Sequence, residues 1–137
     1  MKPLYTAVAT AHGGREGHVR SSDAHLDADL RVPKEMGGPG GEGTNPEQLF
    51  AAGYAACFES ALRLVARLQK KPITDATVTG RVTLSALDAK YVLSVELEAH
   101  VEGLNPDETL VLMHAAHEVC PYSNATRGNI DVRLSSR

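Results

Sequence analysis

The chain has 137 residues, with 14 Lys and Arg against 17 Asp and Glu and a net charge of −3. That length suits a single domain spanning 1–137, large enough to bury about two-thirds of the surface its unfolded chain exposes. Apolar residues make up 42% and charged residues 23%, which excludes wholesale disorder, and no basic excess points to nucleic acid.

No apolar run approaches the roughly 20 residues of a membrane helix. The start, Met1-Lys2-Pro3-Leu4-Tyr5, has no apolar signal core. The expectation is therefore a cytoplasmic protein without a membrane partner.

Leu4 to Ala9 alternates and predicts a strand. Val19-Arg20 and Leu26 to Leu30 predict two more, so the N-terminal third reads as a small antiparallel meander. Residues 33–46 read PKEMGGPGGEGTNP, a composition that predicts a long loop without a regular element. A helix start follows. Thr44 with Glu47 matches a capping box, while Asn45-Pro46 matches an N-cap with proline at the first helical position. The two schemes differ by one residue and exclude each other.

Helix formers then run to Lys71, ahead of Pro72. Phe50, Tyr54, Cys57, Ala61, Leu64 and Leu68 recur at steps of four and three, and so share one face. Such a helix is about 37 Å long and is expected at the centre of the fold. Ala76 to Ala86 and Tyr91 to Val101 alternate as strands joined through Asp88-Ala89-Lys90. Asn105-Pro106 repeats the helix-start chemistry, with Leu110, Met113, Ala116 and Val119 as the apolar face. That helix ends at Cys120-Pro121, and Ile130, Val132 and Leu134 mark a last strand. The order predicts an α+β fold with antiparallel sheets and a long central helix.

Gly38 to Gly43 matches GxGxxG in form, but a dinucleotide fingerprint needs a strand before it, and here a Gly/Pro loop stands there. His114, His117 and Cys120 offer zinc-type ligands at helical spacing. Against that reading, the histidines also suit the negative end of a helix.

Two cysteines, Cys57 and Cys120, are too few for a disulfide scaffold. In a reducing compartment such a pair is unrelated, metal-binding or redox-active. Cys57 sits among alanines, which let another segment or a substrate approach its sulfur, whereas burial alone raises a thiol's pKa and a thiolate needs a cation. Arg15 and Arg127, each beside glycine, are candidates. Glu47 and Cys57 are ten residues apart, about 15 Å along one straight helix. If both serve one site, two antiparallel central helices from two chains are the simplest solution, which predicts a homodimer.

Thr44-Asn45-Pro46-Glu47-Gln48-Leu49-Phe50-Ala51-Ala52-Gly53-Tyr54-Ala55-Ala56-Cys57-Phe58 resembles the first cysteine motif of the organic hydroperoxide resistance proteins of the OsmC/Ohr superfamily. Val119 to Asn129, VCPYSNATRGN, resembles the second, and the Gly13–Gly17 turn and the loop 37–43 fit as well. The resemblance implies an intertwined α+β homodimer with sites at the subunit interface. It implies that Cys57 is the peroxidatic thiolate, Cys120 the resolving thiol and Arg15 the cation beside the sulfur, with Glu47 holding Arg15, across the dimer on this reading. It implies an organic hydroperoxide as substrate, a lipoylated protein or other dithiol as reductant, and no metal, haem or other cofactor. From side-chain type and position, Met36, Phe50 and Tyr54 are expected to line an apolar approach.

Overall fold

In the computed structural model, which describes residues 1–137, three short strands come first: β1 (Ala9–His12), β2 (His18–Ser21) and β3 (Asp27–Asp29). They pair in sequence order as an antiparallel sheet, with His12 opposite His18 and His18 opposite Asp29. The expected strand over Leu4 to Ala9 does not form, and pairing begins only at Ala9. Alternation alone does not make a strand; it needs a neighbour to bond. The side chains of Leu4 and Tyr5 stand exposed.

Met1–Leu49 and Phe50–Arg137 form two compact units. In the first, the Gly-rich stretch is a loop, apart from one 3-10 turn at Lys34–Met36 and a single bridge from Leu30 to Thr44.

Helix α1 (Pro46–Leu68) opens on Asn45, whose side chain accepts the Gln48 N–H at 2.8 Å. The Asn45 scheme therefore prevails over the Thr44 one, and Thr44 instead donates to the Gln48 side chain. Glu47 is released from capping. The helix ends earlier than Lys71. Lys71 N–H bonds Ala66 C=O and Lys70 N–H bonds Arg67 C=O, with Lys70 at φ 59°. This is a Schellman motif with lysine in the left-handed position that glycine usually fills. Lys70→Gly is expected to raise stability by about 0.5–1 kcal/mol, because glycine carries no Cβ penalty there. A urea midpoint that stays put or falls would contradict this.

In the second unit, β4 (Ala76–Leu87) and β5 (Lys90–Val101) form a long antiparallel hairpin, turning at Asp88-Ala89. Helix α2 (Pro106–Val119) starts with a complete Asn105/Glu108 capping box. Cys120 ends it and begins α3 (Pro121–Thr126), a short helix in the stretch between the second predicted helix and the last strand, where the sequence predicts no element. Strand β6 (Val132–Ser136) then lies parallel to β5 at the edge of a mixed β4-β5-β6 sheet.

The core gathers Tyr54, Phe58, Leu62 and Val65 of α1 with Val95, Leu97 and Ala99 of β5 and Leu112, Met113 and Ala116 of α2. Burying each large apolar side chain contributes roughly 1.5–3 kcal/mol. On α1 the buried face is thus rotated from the expected one: Leu64 and Leu68 are exposed, while Phe58, Leu62 and Val65 are buried. On α2, Thr109 and Leu112 are buried and Val119 is exposed. Periodicity was ambiguous because α1 is apolar nearly all round. By length and composition α1 is also apolar enough to cross a membrane, contrary to the reading of the bare sequence. Its inward stripe is accounted for by the sheet, and its outward stripe is left uncovered.

Candidate active site

Cys57 lies midway along α1, and Cys120 occupies the joint between α2 and α3. Packing of those helices brings the two sulfurs to 3.4 Å. Both are free thiols, with Cys57 half-buried and Cys120 fully buried. Cys120 is fixed on both sides, its N–H bonding Ala116 C=O and its C=O accepting from Asn124 N–H. Such a joint holds the thiol in place while Pro121 turns the chain.

Burial pushes the Cys57 thiol up from its ordinary range. The backbone N–H of Tyr122 works the other way by donating to the sulfur, and Cys120 beside it adds to the rise. That N–H is one of the donors that the first turn of a helix leaves unpaired. It is a dipole, not a full charge, so a cation is still needed to make Cys57 a thiolate at neutral pH.

Beside Cys57 lies an open groove of about 330 Å³, lined by Ser60, Ala61, Leu64, Val119 and Pro121. Sequence reasoning placed Ala61 and Leu64 on one face with Cys57 but missed Ser60, Val119 and Pro121 as lining. The signal was available: 60, 61 and 64 follow Cys57 by three, four and seven, and 119 and 121 flank Cys120.

The expected lining fares differently. Tyr54 is fully buried, with its hydroxyl 2.8 Å from Ser123 Oγ and 3.1 Å from Thr126 Oγ1, so it belongs to the core and not to an open wall. Phe50 packs edge-on to Tyr54 and Tyr122 and lines another cavity with Leu87, Tyr91 and Ile130. Met36 is exposed on the 3-10 turn of the first unit.

In the first unit a 3-10 turn, Gly14–Glu16, presents Arg15. Its guanidinium grips Glu47 with two parallel bonds, Nη1 to Oε2 at 2.9 Å and Nη2 to Oε1 at 2.7 Å. Glu47 stands at the first turn of α1. The pair forms within one chain, which corrects the expectation that Glu47 reaches Arg15 across a dimer. The physical reason is the cap: with Asn45 on the helix end, the Glu47 carboxylate is free to turn toward its own chain's turn. Arg15 holds the Glu47 carboxyl below the usual carboxylate range, and Glu47 in turn raises the guanidinium further.

The zinc-type cluster does not assemble. No three His, Cys, Asp or Glu side chains converge as a metal site. His117 Nδ1 faces Ser123 Oγ at 2.7 Å, and Cys120 Sγ faces Cys57. Arg127, the other candidate cation, binds Asn124 Oδ1 and the His117 carbonyl, and so secures the end of α2.

The chain is α+β and sets a half-buried thiol against a buried one beside an apolar groove. The matching family is described as OsmC-like protein and covers residues 38–135. The organic hydroperoxide resistance protein of Xanthomonas axonopodis pv. citri is 53% identical over 135 residues, covering 98% of this chain and 95% of that one. The organic hydroperoxide resistance protein OhrA of Bacillus subtilis is 50% identical, covering 97% and 96%. The crystal structure of an organic hydroperoxide resistance protein from Legionella pneumophila superposes with a TM-score of 0.93 at 58% identity, covering 98% of each chain. The chain belongs to the OsmC-like family, in its organic hydroperoxide resistance branch.

Proposed function

We propose that this protein is a cytoplasmic, cysteine-based peroxidase that reduces organic hydroperoxides to alcohols and is recycled by a dithiol, such as a lipoylated protein. The observation that carries this reading is the approach of two free thiols to 3.4 Å beside an apolar groove. The names of the Xanthomonas and Bacillus relatives supply the substrate class.

The Cys57 thiolate attacks the distal oxygen of R–O–OH. An S–O bond forms, the O–O bond breaks, and the alkoxide leaves to take up a proton as the alcohol. Sulfur has given two electrons to the peroxide and stands as a sulfenic acid. Cys120 then displaces hydroxide from it, forming the disulfide and, with the thiol proton, water. The sulfurs need to close by only about 1.4 Å to reach bonding distance. A dithiol reduces the bond by exchange and becomes a disulfide itself.

Arg15, aligned by Glu47, is the cation that lowers the Cys57 pKa and stabilises the departing alkoxide. Glu47 and Cys57 are ten residues apart on an unbroken helix, about 15 Å by its rise. The Arg15–Glu47 pair of one chain therefore serves Cys57 of a second copy, in a homodimer whose α1 helices pack antiparallel. The exposed apolar stripe of Leu64 and Leu68 supports such packing. No step calls for a metal or other cofactor.

The test is a thiol count. One equivalent of tert-butyl hydroperoxide per chain, added to reduced and chelator-treated protein, is expected to remove both thiols and lower the intact mass by two hydrogens. Two surviving thiols would overturn the peroxidase reading.

A further inference from the structure

Beneath Cys120 runs a buried polar chain that the dithiol chemistry does not itself use. Tyr54 of α1, His117 of α2, and Ser123 and Thr126 of α3 meet there. Tyr54 and Ser123 are fully buried and Thr126 is nearly so. The contacts are His117 Nδ1 to Ser123 Oγ at 2.7 Å, Tyr54 hydroxyl to Ser123 Oγ at 2.8 Å, Tyr54 hydroxyl to Thr126 Oγ1 at 3.1 Å, and Thr126 Oγ1 to Ser123 C=O at 3.2 Å.

Counting protons fixes the direction of this chain. The Ser123 carbonyl only accepts, so Thr126 donates to it. Thr126 then has no proton left for Tyr54, so Tyr54 donates to Thr126. Tyr54 in turn has none for Ser123, so Ser123 donates to Tyr54. Ser123 must therefore accept from His117, whose Nδ1 carries the proton. Burial and then the Arg127 cation, with a smaller push from His114, hold His117 below the ordinary histidine pKa, and Glu118 opposes them only in part. His117 is thus a neutral imidazole protonated on Nδ1, and all four contacts are satisfied at once.

The chain ties α1, three residues before Cys57, to the two helices that meet at Cys120. We propose that His117, Ser123, Tyr54 and Thr126 are positioning residues that hold the Cys120 sulfur against Cys57, so that they set the rate at which the sulfenic acid closes to a disulfide. This rests on the peroxidase reading above. A sulfenic acid that waits for its partner is open to a second peroxide, which adds oxygen to give the sulfinic acid while the peroxide is reduced to alcohol. The buried chain therefore also protects Cys57 from irreversible oxidation.

The experiment compares wild type with Ser123→Ala and Tyr54→Phe; the latter loses one hydroxyl and keeps the ring. Each reduced protein is mixed with one and with twenty equivalents of tert-butyl hydroperoxide. Disulfide and sulfinic acid are then counted by intact mass over time. Both variants are expected to consume the first equivalent at the wild-type rate, to close the disulfide at least roughly tenfold more slowly, as suits the loss of two of the four buried contacts, and to accumulate sulfinic acid at excess peroxide. Nitrogen NMR of the histidines is expected to show His117 protonated on Nδ1 in the wild type and a mixture of tautomers in Ser123→Ala. Closure at the wild-type rate in both variants, or an Nε2-protonated His117 in the wild type, would overturn the inference. Failure of the wild type itself to form a disulfide would overturn the peroxidase reading instead.

Discussion

Cys57→Ser is expected to abolish peroxide turnover, by about a thousandfold or more, because it removes the proposed nucleophile and not an auxiliary group. A serine hydroxyl stays protonated at neutral pH and forms no sulfenic acid. Nor does the second thiol substitute. Cys120 is fully buried at the α2–α3 joint, whereas Cys57 is half-buried and borders the groove. The companion variant Cys120→Ser is expected to behave differently: it reacts with one equivalent of peroxide at the normal rate, gains the mass of one oxygen and stops. Consumption of tert-butyl hydroperoxide with dithiothreitol as reductant measures the first variant, and intact mass after one equivalent of peroxide without added thiol measures the second. Residual turnover in Cys57→Ser would assign the chemistry elsewhere, and a wild type that also stops with one added oxygen would remove the resolving step.

The second large effect is expected far from either sulfur in sequence. Gly17 closes the turn that presents Arg15. A Cβ there would lie 1.8 Å from the His12 carbonyl oxygen and 2.7 Å from Gly13 Cα, which is backbone on both counts and has nowhere to go. Gly13 itself sits at φ 82°, in the left-handed region. Gly17→Ala must therefore open the turn and lift the guanidinium from Glu47.

The rate of peroxide reduction is expected to fall by about a hundredfold in Gly17→Ala, as in Arg15→Ala, in line with losing one charged donor from an anionic transition state. Alkylation of Cys57 by iodoacetamide across pH is expected to show its apparent pKa higher in both variants. Arg15→Lys is expected to rescue little, since an ammonium cannot make the two-pronged bond that aligns the guanidinium. An unchanged rate in Arg15→Ala would demote Arg15 to a loop residue. Because Glu47 is held below the usual carboxylate range, the pair is fully charged at neutral pH and is lost only as pH falls through that lowered value.

Much of this was legible in the chain of letters, for identifiable reasons. Asn45-Pro46 and Asn105-Pro106 mark their helices because capping is local chemistry, decided within four residues. The β4–β5 hairpin was legible because its outward residues are polar and its inward ones are not. The buried face of α1 was not, since a helix with two apolar stripes does not announce which one meets the sheet. Tyr54 illustrates the cost: its type suits a pocket wall, but its hydroxyl has buried partners nearly seventy residues later in the chain. The intrachain Arg15–Glu47 pair was hidden likewise, because long-range pairing depends on where a turn points and not on what it contains.

Strand β6 carries one more consequence, for the newborn chain. It enters the sheet parallel to β5, so residues 102–131 must cross over between them, and that crossover holds Cys120. The β4–β5 hairpin assembles from neighbouring residues, whereas β6 closes a long loop from the end of the chain and pairs late. On the ribosome, Cys57 emerges well before the segment that will face it has been made. Every molecule thus passes through an interval in which Cys57 has no facing thiol, and on the proposed chemistry it is spared then only because the guanidinium that would activate it is not yet in place either.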